Sequence, residues 1–418
     1  MIGIAWPFFC EIAHAESGGD GHDGLSKSVV GGTKTSAGQY PWMVALVRSD
    51  VEVAYHGFFS GGILVHPEWV LTAAHSVVGL QSSDVLAMVG AHHLGTNGDR
   101  RTAVSEIVYH PQSSEGESTI GADLALLRLS EPLHGHPTLP LSFSRGRISP
   151  GTLTRALGWG ETADRGFRPL DLRSVDLPIV SRDSVDVEAL YGQSLPSDII
   201  LAGYLNGEKD TCDGDSGGPL LGRDTRAGRW RLVAVVSGGS NQGCAAKGAL
   251  GLYTEIATHL GWIESVVVER FSDWAPLYGL KTPEADADAD GDGVTNWEEY
   301  VRMTHPLDPR SSPKTAYGLH HFDGQRYPQL GGVARVSASD VELFVESSDD
   351  LVHWKAQGKG SPGSGIAIIQ KGNRFQWRSA RSLEELANQF VRIRISPPDD
   401  LVLLVLNPEG KVTETLNF

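Results

Sequence analysis

Three side chains in this 418-residue sequence have the types and settings that amide chemistry needs. Ser216 lies in Cys212-Asp213-Gly214-Asp215-Ser216-Gly217-Gly218-Pro219, a turn where Gly214 carries no side chain. The backbone N–H groups of Gly214 and Ser216 can therefore face one cavity. His75 closes the run Leu71-Thr72-Ala73-Ala74-His75, whose small neighbours leave the imidazole clear of a strand end. Asp123 opens Asp123-Leu124-Ala125-Leu126-Leu127-Arg128-Leu129, a carboxylate just ahead of a buried strand. Hydrolysing an amide near neutral pH takes a nucleophile, a base that accepts and returns its proton, a group that orients the base, and donors for the oxyanion. Each residue alone would be an ordinary surface or turn residue; the reading rests on their occurring together.

Such groups lie far apart in the chain, so the fold must bring them together. The segments WMVALV, GGILV, WVLTAA, DLALLRL, TLTRAL, WRLVAVV and GLYTEI are short, apolar and separated by Gly, Pro, Asp and Ser clusters. That pattern predicts antiparallel strands of a barrel or sandwich, and 50 Gly with 22 Pro favour many turns over a helical bundle. One amphipathic helix is expected over 257–270, closing the first domain. The chain is long enough for two or three packed cores.

The net charge of −16 opposes binding to nucleic acid or anionic lipid and favours cationic substrates and divalent metals. Residues 2–10 are largely apolar, and Ala13-His14-Ala15 fits a signal-peptidase site with cleavage after Ala15, although no Lys or Arg precedes Lys27. Residues 1–15 are thus expected to be a signal peptide and the Gly/Ser/Asp-rich 16–28 a pro-segment. Other apolar runs fall short of the roughly 20 residues that cross a bilayer. Export would remove Cys10 and leave Cys212 and Cys244 as one candidate pair.

Val29-Val30-Gly31-Gly32, TAAH, DLALL and GDSGGP, in this order, resemble the trypsin-like (chymotrypsin-fold) serine peptidases over residues 29–270. The resemblance implies two six-stranded β-barrels with the active site between them, His75 as base then acid, Asp123 as its orienter and Ser216 as the acylated nucleophile. It also implies that Asp210, six residues before Ser216, floors the primary specificity pocket and selects Arg or Lys. Gly239 and Gly251 would leave the pocket walls open, Tyr253 would stand behind the carboxylate, and Ser237 would support Asp123. Cys212 and Cys244 match the bridge bracing the pocket rim. Val29, once freed as a new N-terminus, would pair with Asp215. Some family features are replaced: Gly238 stands for the usual tryptophan, Ser60 and Ser76 for one disulfide, and Val185 and Leu201 for another. Ser28 before the activation bond does not suit self-cleavage by an Arg/Lys-directed enzyme. The same framework also serves binding proteins without catalysis, but those usually lack one of the three catalytic residues, and here all three are present.

A second motif begins at Asp288. Asp288, Asp290 and Asp292 occupy positions 1, 3 and 5 of a twelve-residue loop, with Gly293 at 6, the Val294 carbonyl at 7, Asn296 at 9 and Glu299 at 12. Hard oxygen donors at these offsets suit Ca2+. With Thr304-His305-Pro306-Leu307-Asp308-Pro309 the stretch resembles calcium-binding linker repeats of secreted bacterial proteins, and 271–312 is expected to be a linker stiffened by calcium. His134-Gly135-His136 lacks further ligands and reads as a solvent loop. Residues 313–418, with LFVESSDDLVHW, are similar to β-sandwich modules of secreted bacterial enzymes, offering a cell-surface or glycan contact. Trp354 and Trp377 suit core packing better than glycan binding.

Overall fold

Six short strands between Met43 and Leu129 pair edge to edge until the last free edge meets the first. A computed structural model describes residues 29–95, 100–113, 121–142, 148–162, 167–223, 228–280 and 284–311, and strand backbone between 315 and 414. The leader and pro-segment, with Cys10 and Ala15, lie outside these residues. After a short β1 (Thr33–Lys34), the first barrel comprises β2 (Met43–Arg48), β3 (Phe58–His66), β4 (Trp69–Thr72), β5 (Val85–Val89), β6 (Thr102–Tyr109) and β7 (Ala125–Leu129). Their spatial order is β2-β3-β4-β7-β6-β5, and β5 returns to β2 through Val44 opposite Val89.

The second barrel comprises β8 (Leu153–Gly158), β9 (Arg173–Val180), β10 (Ile199–Ala202), β11 (Pro219–Arg223), β12 (Trp230–Gly238) and β13 (Gly251–Glu255). The order β9-β10-β13-β12-β11-β8 closes through β8 and β9, and β1 pairs with β9 on its outer edge. The all-β double barrel that the resemblance implies is thus the observed fold. Unbroken apolar runs arise because both strand faces are covered. In β2, Val44 and Leu46 pack with Leu64, Val70 and Leu127. Met43, Ala45 and Val47 join Trp159, Leu221 and Val235 in a cluster that draws on both barrels.

The expected helix runs Ile256–Val267. Within the stretch expected as a linker, two helices pack against the core of the barrels. Helix Phe271–Tyr278 places Trp274 and Tyr278 in the same cluster as Leu139, Leu141 and Ile256, and helix Asn296–Arg302 adds Trp297, Tyr300 and Val301. Phe271 meets Trp297 and Tyr300 at centroid distances of 5.5 and 5.4 Å, and Trp274 meets Tyr300 at 5.6 Å. Each fully buried side chain of this size stabilises by roughly 1.5–3 kcal/mol, more than a short polar linker can offset. Thr295 starts the second helix as a capping box with Glu298.

Among the described residues beyond 312 the backbone forms two antiparallel sheets, one of four and one of five strands. The hairpin Thr315–Phe322 to Gln325–Val333 was missed in the sequence reading, although Asp323-Gly324 is the two-residue turn that signals one; both have positive φ, 49° and 72°. Trp377 lies on strand Arg374–Ser379, and Trp354 is outside the described residues.

Candidate active site

β4 ends at Thr72, and the chain tightens into one 3-10 turn, Ala74–Ser76, that presents His75 at the barrel edge. Asp123 precedes β7 and is 5% exposed. Since β4 pairs with β7, Thr72 opposite Ala125, the two side chains meet at the end of one ladder. His75 donates its backbone N–H to Asp123 Oδ1 at 2.9 Å and its ring Nδ1 lies 2.7 Å from Oδ2. Ser237, leaving β12 in the other barrel, donates its Oγ–H to the same Oδ2 at 2.6 Å. Burial alone would raise the Asp123 pKa; the bonds from His75 and Ser237 outweigh it and hold the carboxyl below its usual value. An ionised Asp123 can only accept, so Nδ1 carries the proton and Nε2 is left as the acceptor.

Ser216 is held beside this line by its backbone. Its carbonyl accepts from Gly61 N at 2.8 Å and Ser60 Oγ at 2.7 Å, while Gly217 N donates to Val236 O at 2.9 Å, one residue before Ser237. The turn around Ser216 is therefore clamped between β3 and β12, and β12 also carries Ser237, the donor to Asp123. Among the described hydrogen bonds none links Ser216 Oγ to His75 Nε2; Nε2 meets Ser76 Oγ at 3.4 Å. Such bonds are commonly long or misaligned without substrate. Gly214 has φ 94°, and a Cβ there would lie 3.2 Å from Gly160 Cα and 3.3 Å from Arg168 Nε, so this left-handed, closely packed position favours glycine.

The Trypsin family model matches residues 29–263, more than half of the chain. The chain belongs to the trypsin family. A tryptase of Mus musculus is 34% identical over 290 residues, spanning 65% of this chain and 99% of that protein. Vitamin K-dependent protein C of Rattus norvegicus is 33% identical over 260 residues, 59% of this chain and 53% of that one. The trypsin-family domain is thus that of a serine endopeptidase with protein substrates.

In this trypsin-family chain Asp210 is 2% exposed. Its Oδ1 accepts from Thr211 N at 2.9 Å and Oδ2 from Ala245 N at 3.2 Å. Burial outweighs both bonds and pushes its pKa up to about 6. Tyr253 is fully buried, and its OH lies 2.9 Å from Thr211 Oγ1. Gly251 lies against it: a Cβ there would lie 2.6 Å from the Tyr253 hydroxyl. Gly238 and Gly239 are exposed and open, with nothing within 4 Å of an added Cβ. Cys212 and Cys244 form a disulfide closing a 32-residue separation, which contributes about 3–4 kcal/mol.

The residues that stand in place of the two family disulfides have uses that no local pattern signals. Ser60 holds the Ser216 carbonyl and Ser76 approaches His75 Nε2. Leu201 and Val185 pack in an apolar cluster around Tyr191 and Leu250. Arg168 was also missed; it sits over Gly214 and donates to Phe58 O at 3.2 Å. His136 binds Pro41 O at 2.8 Å, an ordinary loop contact.

Val29 is fully buried and Val30 O accepts from Asp210 N at 3.1 Å, so the candidate activation segment lies against the pocket segment. Asp215 is fully buried, accepting from Gly160 N at 2.8 Å and Cys212 N at 2.9 Å, and burial pushes its pKa up to about 7.

In the acidic loop, carboxylate oxygens of Asp288, Asp290 and Asp292 lie within 4.8 Å of one another, as ligands about 2.4 Å from one cation would. Glu299 is fully buried, with Oε2 lacking a hydrogen bond, and Asp290 Oδ2 and Asn296 Oδ1 are in the same state. Burial, then Asp290 and Asp292, push Glu299 up to about 8. Val294 donates its N–H to Asp292 Oδ1 at 2.8 Å. Asp308, also buried, adds a further charge near Asp290. Orphaned oxygens on a buried carboxylate fit a hard cation that would repay their desolvation.

Proposed function

We propose that the chain is a secreted endopeptidase that cuts after Arg or Lys through His75, Asp123 and Ser216. His75 Nε2 takes the Ser216 proton as Oγ bonds to the substrate carbonyl carbon. The oxyanion is met by the N–H groups of Gly214 and Ser216. His75 then returns the proton to the leaving amine, and a water activated by the same Nε2 releases the acyl group. Gly239 and Gly251 flank the entry of the substrate side chain, and Ser237 keeps Asp123 in place.

The observation that carries the preference is Asp210, a buried carboxylate held only part-way to neutralisation by backbone donors. A substrate guanidinium or ammonium would supply the missing countercharge. The test uses protein beginning at Val29 and chromogenic peptides differing in the residue before the cut. Arg and Lys are expected to lead Leu, Phe and Glu by at least a hundredfold in kcat/KM; a lead by Leu or Phe would refute the preference.

Export is supported by the leader-like residues 1–15 and by the disulfide, which needs an oxidising compartment. Activation by a cut before Val29 is supported by the buried Asp215, since an ammonium formed there would relieve the cost of its charge.

The loop from Asp288 to Glu299 is proposed to hold Ca2+ through Asp288, Asp290, Asp292, the Val294 carbonyl, Asn296 and Glu299, as a structural and not a catalytic ion. When bound it supplies positive charge to a cluster of carboxylates. Ca2+ at a hundred times its Kd would stabilise by about 2.7 kcal/mol, roughly 5–10 °C in Tm for a domain of this size. Calorimetry with Ca2+ and with chelator is expected to show that shift in the native chain and to lose it in Glu299→Gln. Equal Tm in both conditions would rule the site out.

A further inference from the structure

Behind Asp123 lies a buried polar chain that the proposed hydrolysis does not use. His110, Asp198 and His259 are 7%, 7% and 5% exposed and come from the end of β6, the approach to β10 and the helix Ile256–Val267. Its hydrogen bonds fix their own direction. Gln112 N–H can only donate, and it meets His110 Nδ1 at 3.2 Å. The His110 proton must then sit on Nε2, which lies 3.1 Å from His259 Nδ1. His259 in turn carries its proton on Nε2 and donates to Asp198 Oδ2 at 2.9 Å. The same oxygen accepts from Ala122 N–H. Two neutral imidazoles and one carboxylate satisfy every donor in the chain.

Burial and the neighbouring His259 push His110 down to about 4, in keeping with a neutral ring. For Asp198, burial is outweighed by the bonds from His259 and Ala122, which hold its carboxyl below the usual value.

The chain ends on both neighbours of Asp123. Ala122, gripped by Asp198, has φ 49°, a left-handed conformation that is strained for a non-glycine residue. Leu124, on the other side, donates to Ala122 O at 2.8 Å and accepts from His110 N at 3.0 Å. The turn that aims the Asp123 carboxylate at His75 is therefore held from behind by Asp198 and His110.

We infer that Asp198, backed by His259 and His110, is a positioning residue that fixes the Ala122–Asp123 turn and thereby the alignment of His75. This rests on the reading of Asp123 as the partner of His75. The Asp210 pocket lies on other segments, so loss of alignment should affect turnover and spare substrate binding. Misplacement of a reacting group by about 1 Å costs on the order of a hundredfold in rate.

The experiment measures kcat and KM on an Arg chromogenic peptide, per active site titrated with a serine-directed covalent inhibitor. Asp198→Ala is expected to lower kcat 10- to 100-fold with KM within twofold. Asp198→Asn keeps an acceptor oxygen for Ala122 and His259 and is expected to stay within about threefold of the native kcat. His259→Leu leaves the Ala122 bond and is expected to lose 3- to 10-fold in kcat. A native kcat per titrated site in Asp198→Ala, or an Asn variant no better than Ala, overturns the inference. If Asp198→Ala does not fold, the His259→Leu kcat decides, and a native value there overturns it. Asp123→Asn measured alongside separates the two readings: native turnover in that variant refutes the role of Asp123 itself, whatever the Asp198 variants do.

Discussion

Ser216→Ala is expected to lower kcat by about 10^6 while leaving the fold and KM almost unchanged. The magnitude follows from removing the atom that bonds to the substrate carbon in the proposed mechanism, which neither His75 nor Asp123 can replace. The fold should survive because the nucleophile turn is held by the backbone: the Ser216 carbonyl takes Gly61 N and Ser60 Oγ, and neither bond involves the lost hydroxyl. The His75–Asp123–Ser237 line also remains intact. Turnover of an Arg chromogenic peptide, together with a melting curve, checks both halves of the expectation. Equal rates for native and variant protein would remove Ser216 from the mechanism.

The second large effect lies at the pocket floor. Asp210→Ser should reduce kcat/KM for Arg and Lys substrates by roughly 10^2–10^4-fold, because stranding a buried cation costs about 3–5 kcal/mol. Rates on Leu or Phe substrates should change little. The native protein should also show a pH signature. With Asp210 at about 6, its carboxylate is charged above that pH and takes up a proton below it, so affinity for a cation is full above 6 and lost on acidification. The dissociation constant of benzamidine, measured by equilibrium binding, is expected to be flat from pH 8 to 7 and to rise about tenfold per unit below 6. A constant that ignores pH across this range would place the cation elsewhere.

The packed segment after residue 267 changes how the calcium loop is understood. A free linker would confine the effect of an ion to its own residues. Here Trp297 and Tyr300, on the helix that the loop enters, share a buried cluster with Trp274, Leu141 and Val235. Ordering of the loop is thereby tied to the peptidase core, which is why the Ca2+ response is expected in the main unfolding transition.

The amino-acid sequence by itself determined the all-β character and seven of the barrel strands, the glycine-rich turn around Ser216 and the offsets of the acidic loop. Each is written in contiguous residues: GDSGGP needs its glycines for local backbone reasons, and DADGDGVTNWEE sets donor spacing along one loop. The mutual placement of His75, Asp123 and Ser237 was legible only through resemblance, because nothing local links residues 48 and 114 positions apart. Tertiary structure alone decided which serines brace Ser216, that Arg168 covers Gly214, that the helices Phe271–Tyr278 and Asn296–Arg302 pack on the barrels, and that Asp198, His259 and His110 stand behind Asp123. Those contacts join stretches whose local patterns are unremarkable, since a lone buried histidine or aspartate looks like any other until its partner arrives from a distant strand. Local rules govern backbone conformation and burial periodicity. Long-range hydrogen bonds are set by barrel closure, where register and strand order decide which polar groups are buried together.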